Sequence, residues 1–225
     1  MKDNDRDEGS TDPGEPEQPE KPGEQPPEQR VFANRLTVTL IIFELAVGII
    51  GLIGGHLFGV QWSYFFRFEM EAISLGVVTG AAIFGFNALV LFSWVEHNPF
   101  YRWVYEPFAR ALLKPLQMLS IEDIIFISIL SGVAEELLFR GWLLASFDNH
   151  WVGLVVSSVV FGVIHIWSRQ GIGYGVYATG MGFVLGLLFI FTGVIWAPIL
   201  AHGVNNLFSM ISMKYGLTPS PPSSK

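Results

Sequence analysis

An all-α bundle of membrane-spanning helices, six spans with both ends in the cytosol, is the fold this sequence predicts. Three observations predict it. The 225-residue chain is 51% hydrophobic with a mean hydropathy of +0.44, well above a soluble domain. Six apolar segments follow a polar start, most of them near the roughly 20 residues that a helical span requires. Basic residues gather on alternate connections only, the pattern of a polytopic membrane protein.

The first segment runs from about Leu36 to Val60, the second from Ala72 to Val95 and the third from Ile121 to Phe147. The fourth runs from Trp151 to Trp167, the fifth from Ile172 to Thr192 and the sixth from Val194 to Met213. The fourth is short for a span. Small residues such as Gly180, Gly182 and Gly186 suit close helix contacts inside a bundle. Arg30 and Arg35 precede the first span; Arg102, Arg110 and Lys114 follow the second. Arg169 follows the fourth, and Lys214 and Lys225 follow the sixth, whereas the opposite loops hold only Arg67. That bias places both termini in the cytosol and calls for an even number of spans.

Charge is uneven along the chain. Residues 1–30 carry ten acidic and four basic side chains, a balance of −6, whereas the remaining 195 carry ten and nine, a balance of −1. The segment from Met1 to Gln29 is rich in Pro, Glu, Asp, Gln and Gly and has no aromatic residue. It cannot offset its ordering entropy, so a disordered cytosolic tail is expected. It lacks the basic start and early apolar stretch of a secretory signal. The Pro-Ser stretch after Thr218 is expected to be loose as well. Cysteine is absent, which excludes disulfides, thiolate metal sites and a cysteine nucleophile. No basic surface suggests nucleic acid. The stretch from Glu96 to Ser120 is too polar to span. Its aromatic and basic residues, Trp94, Tyr101, Trp103, Tyr105 and Phe108 among Arg102, Arg110 and Lys114, suit a helix lying in the cytoplasmic interface. The chain thus divides into a tail (1–30), two spans with an interfacial connector (31–119), a third part carrying the remaining spans (120–214) and a short end (215–225).

Polar clusters interrupt three of the apolar segments. They read Glu135-Glu136-Leu-Leu-Phe-Arg140, Phe161-Gly-Val-Ile-His165 and His202-Gly-Val-Asn-Asn206. An ionisable side chain costs about 2.5 kcal/mol or more at the bilayer centre, so such residues mark function or tight pairing. On a helix Glu136 and Arg140 share a face and can pair, while Glu135 is rotated by about 100° and needs another partner. His165 shares a face with Phe161, and His202 with Asn206. A helix-stapling hydrogen-bond network is the bland account of these residues, and a hydrolytic site the sharper one. Pro198, one turn before His202, is expected to bend the sixth helix. Asn205 points away from Asn206 and ranks below it. Other candidates are weaker. Glu44 is alone in the first span, facing the bundle or snorkelling. His56, His97 and His150 sit near span ends, and Asp148 lies in a short turn. Ser131, Ser157 and Ser158 have no base at a recognisable spacing. Glu122 and Asp123 open the third helix, where acids suit the dipole.

The three clusters resemble the signature of the CAAX-processing and bacteriocin-processing (CPBP) intramembrane protease family, which includes the type II CAAX prenyl endopeptidases. That signature is Glu-Glu-x-x-x-Arg, then Phe-x-x-x-His, then His-x-x-x-Asn, on separate membrane helices and in that order. The resemblance covers about Ile121 to Met213 and leaves out the first two spans and the tail. It implies an endopeptidase embedded in the membrane, here multi-pass and bacterial. Glu135 would be the general base for water and His165 its helper. His202 and Asn206 would form an oxyanion hole, with Glu136 and Arg140 in support. The partners implied are the lipid bilayer and a peptide or protein substrate, with a lipid-modified CAAX tail as one option. No cofactor is favoured. Zinc held by Glu135, His165 and His202 is the runner-up, a His₂Glu set with an open position. A carboxamide at Asn206 suits an oxyanion donor better than a ligand. Two rivals from other classes stay open: a non-catalytic membrane partner, such as a bacteriocin self-immunity or sensor-regulating protein, and a proton-relaying transporter.

Overall fold

The computed structural model describes residues 26–92, 99 and 101–217, and everything it describes is helical or connecting. The expected tail through residue 25, Trp94, His97 and the Pro-Ser stretch from Thr218 lie outside the described residues. Helix α1 spans Pro27–Leu57 and opens on a proline at its first position, where the missing N–H costs no hydrogen bond. It therefore starts within the last residues of the expected tail. A short helix α2 (Trp62–Phe65) follows, then α3 (Met70–Phe92). The connector forms a π-helical turn (Tyr101–Tyr105) and the amphipathic helix α4 (Glu106–Met118). Helix α5 (Ile121–Glu136) runs on without a break into a π-helical stretch, Leu137–Leu144. Helices α6 (His150–Ile164), α7 (Ile172–Thr192) and α8 (Trp196–Lys214) complete the bundle.

Local chemistry sets these boundaries. Ser120 and Asp123 form a reciprocal capping box at the start of α5, which fixes two otherwise orphaned donors. Asn149 caps α6 by accepting from the backbone N–H groups of Trp151 and Val152. Gly193 ends α7 at φ 68°, a left-handed conformation that glycine adopts freely. Lys214, in the last turn of α8, donates to the carbonyls of Gln117 and Leu119 at 3.1 and 2.6 Å, so α8 closes the end of α4. Pro198 is the third residue of α8. The first turn of a helix lacks acceptors for its N–H groups in any case, so the expected bend has no cause there.

Helix α8 is central, packing on α3 and α5, while α6 pairs with α7 and α1 lies against α5 and its π-helical extension. A Cβ on Gly48 would touch Ala134, one on Gly51 would meet Leu137 and Leu138, and one on Gly54 would meet Trp142. Both numberings rise together, so α1 and α5 run parallel. Gly182 and Gly186 of α7 lie against Ser158 and Leu154 of α6, as close packing requires, whereas Gly180 faces open space.

Many large apolar side chains point outward, among them Ile42, Phe43, Ile53 and Phe58 on α1 and its end and Phe191 on α7. Such a surface suits hydrocarbon rather than water. Among the described residues three helices are long and apolar enough to cross a membrane: Pro27–Leu57, Met70–Val90 and Arg169–Thr192. The chain is an integral membrane protein. The third expected span changes winding midway, α6 has only 15 residues, and α8 carries His202, Asn205 and Asn206.

The contact between α1 and the π-helical stretch depends on absent side chains. A Cβ on Gly51 would come within 2.6 Å of the Leu138 nitrogen and 2.8 Å of the Leu137 carbonyl carbon. Gly51→Val should therefore lower stability by about 1–3 kcal/mol, read as a fall in the thermal unfolding midpoint in detergent.

Candidate active site

Four helices supply the polar side chains at the centre of the bundle. Glu135 and Glu136 end the α-helical part of α5, and Arg140 follows in the π-helical stretch. His165 caps the end of α6, and His202, Asn205 and Asn206 lie on α8. Glu44 comes from α1.

Glu136 and Arg140 form the ion pair that their spacing predicts, at 2.7 Å, with both side chains fully buried. Arg140 also donates to the Gly182 carbonyl of α7 at 2.8 Å and lies 5.0 Å from the Phe161 ring centroid. The same Glu136 oxygen receives Nδ1 of His202 at 2.9 Å. One carboxylate thus ties α5, the π-helical stretch and α8 together, and through Arg140 it reaches α7. Taking two charges out of water costs several kcal/mol each, a cost recovered only when further hydrogen bonds meet them. The Gly182 carbonyl and the His202 ring are those hydrogen bonds. Glu136 Oε2 and Arg140 Nε are left without partners among the described residues.

These bonds also orient the two imidazoles. Nδ1 of His165 lies 2.6 Å from the Phe161 carbonyl, which can only accept, so Nδ1 carries the proton. Nδ1 of His202 is likewise committed to a carboxylate. Both rings therefore present Nε2 to the same place. Each Nε2 lies 4.0 Å from Oε2 of Glu135. That oxygen is buried and has no hydrogen-bond partner among the described residues, although the Glu135 side chain as a whole retains 13% exposure. Straight spans would put Glu135 and His165 at different depths. In the bundle they approach to 4.0 Å, and α6, with 15 residues, is only about 22 Å long, shorter than the ~30 Å hydrocarbon core.

Asn206 is one turn beyond His202 on α8. Its Nδ2 donates to Ser131 Oγ of α5 at 3.1 Å, which leaves one amide hydrogen uncommitted. Asn206 is therefore held beside the Glu135–His165–His202 group rather than bonded within it. Ser131, weighed from sequence as a nucleophile, is instead the acceptor that orients Asn206. Asn205 is buried, and its Oδ1 has no partner among the described residues. Sequence reasoning set Glu44 aside as a residue of the bundle or the interface, yet it is buried at 7% exposure and lies within electrostatic reach of Glu135 and His202. Ser157 and Ser158 are buried, Ser158 against Gly182 of α7.

The runner-up zinc set fits poorly as arranged. Two ligands of a tetrahedral zinc stand about 3.4 Å apart, closer than the 4.0 Å from Glu135 to each histidine. Among the described residues no group of three His, Asp or Glu side chains is arranged to hold a metal ion.

Comparison with known proteins bears on the same region. Residues 117–208 match the family model described as type II CAAX prenyl endopeptidase Rce1-like. The uncharacterized protein YpbD of Bacillus subtilis (strain 168) is 36% identical over 83 residues, 37% of this chain and 41% of YpbD. YdiL of the same strain, named as a candidate membrane peptidase, is 32% identical over 105 residues, 45% of this chain and 41% of YdiL. The matches thus span about two-fifths of the length of these curated relatives. No solved structure matches the chain. The matched segment contains every residue of the three polar clusters, and over residues 117–208 the chain is similar to the type II CAAX prenyl endopeptidases of the Rce1-like family.

Proposed function

We propose that this chain is an intramembrane endopeptidase that hydrolyses a peptide bond near the membrane surface with a water activated by Glu135. The observation that carries this reading is the convergence of two imidazole Nε2 atoms on the unpartnered Glu135 oxygen, each at 4.0 Å. In this reading Glu135 removes a proton from water, and the neutral His165, whose Nε2 lone pair faces the same point, orients it. The water oxygen attacks the peptide carbonyl. Negative charge then appears on the carbonyl oxygen, and His202 Nε2–H with the free Asn206 amide hydrogen receives it. His202 donates through Nε2 only when the ring carries both protons, a charge for which Glu136 is the counter-ion. As the carbon–nitrogen bond breaks, Glu135 returns its proton to the amine. No step is routed through a metal. The substrate class that fits the family is a membrane-associated protein or peptide, a lipid-modified CAAX tail among them. Six spans with cytosolic termini, in a bacterial cell membrane, complete the proposal.

The test is a comparison of membranes carrying the intact protein with membranes carrying Glu135→Gln, scored for new protein C-termini. Cleavage events should vanish with the variant, a loss of at least about a hundredfold in rate. Persistence of biological rescue by Glu135→Gln, with no cleavage lost, would favour the non-catalytic membrane partner. Strong chelation should leave the cleavage rate unchanged; loss of activity with recovery on adding zinc would sink the metal-free mechanism. Arg140→Leu leaves Glu136 buried and uncompensated, so it should cost about 3–5 kcal/mol of stability. The Glu136→Gln/Arg140→Leu double variant should recover part of that loss in thermal unfolding.

A further inference from the structure

One buried carboxylate takes no part in the scheme above. On α1 the neighbours Phe43 and Leu45 are 58% and 48% exposed, facing outward, whereas Glu44 is turned inward at 7%. Parallel packing of α1 on α5 explains where it goes. Gly48 lies against Ala134, so Glu44, one turn earlier on the same face, sits about one turn below Glu135. It is within electrostatic reach of Glu135 and His202. Its Oε2 is buried and lacks a hydrogen-bond partner among the described residues, as does Glu135 Oε2. A carboxylate that merely stapled helices would be met by a donor on a neighbouring helix, because an unmet buried acceptor costs about 1–3 kcal/mol or more. Two donorless carboxylate oxygens on packed helices, within electrostatic reach of each other, are suited to a small molecule with two hydrogens. Glu44 lies outside the segment that matches the family.

We propose that Glu44 is a further catalytic residue, accepting, alongside His165 Nε2, the hydrogen of the nucleophilic water that Glu135 does not take. The inference rests on the peptidase reading above. Held among these acceptors, the water presents a lone pair to the peptide carbonyl. Its O–H bond to Glu135 breaks as its oxygen bonds to carbon, and the carbonyl electron pair moves onto the oxygen near His202. When the carbon–nitrogen bond breaks, the proton on Glu135 passes to the amine. Glu44 ends the cycle in the state in which it began.

Full-length wild type, Glu44→Leu, Glu44→Gln and Glu135→Gln are compared in detergent on a quenched-fluorophore peptide ending in a prenylated CAAX tail, with thermal midpoints read alongside. Glu44→Leu should lower kcat on the order of tenfold to a hundredfold, with KM within about twofold. Its midpoint should be unchanged or higher, since an apolar side chain replaces a donorless acceptor. Glu44→Gln, which keeps an accepting oxygen, should restore part of the rate. Wild-type kcat in Glu44→Leu overturns the inference. So does a lower midpoint in both Glu44 variants, which would make the carboxylate structural. Should Glu135→Gln leave cleavage intact or the wild type fail to cleave, the peptidase reading fails and the midpoints decide alone. A rise in Glu44→Leu then supports a carboxylate retained for function, and a fall overturns it.

Discussion

The Glu136–Arg140 pair is the constraint on which the rest of the centre depends. It is fully buried, and its free energy is favourable only while every hydrogen bond around it is kept. Glu136 holds Nδ1 of His202, which fixes the direction of Nε2. Arg140 holds the Gly182 carbonyl, which fixes α7 against the π-helical stretch. The residues nearest the proposed chemistry are therefore oriented by a pair that is itself fully buried. A carboxylate behind an imidazole serves the same end in many hydrolytic sites, where the second ring nitrogen is aimed by what the first one binds.

Winding geometry is part of this arrangement. The change from α to π winding begins right after Glu136, and π-helical insertions recur at functional positions because they re-aim side chains within a helix. Here Arg140 keeps its pair with Glu136 while the stretch stays close enough to α1 for Gly51 to lie on its backbone. Five of the eight residues of Leu137–Leu144 are the strong helix formers Leu and Arg, so propensity gives little warning of the altered winding.

Much of the centre was legible in the sequence, for reasons that can be named. Helical spacing alone paired Glu136 with Arg140 and freed Glu135 for another partner. Hydropathy located the fifth apolar helix at Ile172–Thr192, the bounds of α7, because a strongly apolar helix ended by Gly193 leaves little room for error. Glu122 and Asp123 were visible as acids at a helix start, although the Ser120 cap that Asp123 completes was not. Other features were not legible. Nothing in the periodicity of α1 shows that Glu44 faces inward, since the helix is apolar on all sides and its inward face is set by which neighbour its glycines can approach. The Asn206–Ser131 bond joins residues 75 positions apart, beyond any local pattern. Pro198 read as a bend because the sequence does not say how far into its helix it falls.

The glycine face of α1 carries a wider consequence. Gly48, Gly51 and Gly54 let a helix from outside the matched segment lie directly on the one that bears the paired glutamates. One wall beside the paired glutamates is thus built from a stretch of chain outside the matched segment. Proteins sharing every signature residue can still differ in this wall, and with it in the shape and polarity met by whatever enters from the lipid. Selectivity among relatives would then reside in a helix that motif searches pass over.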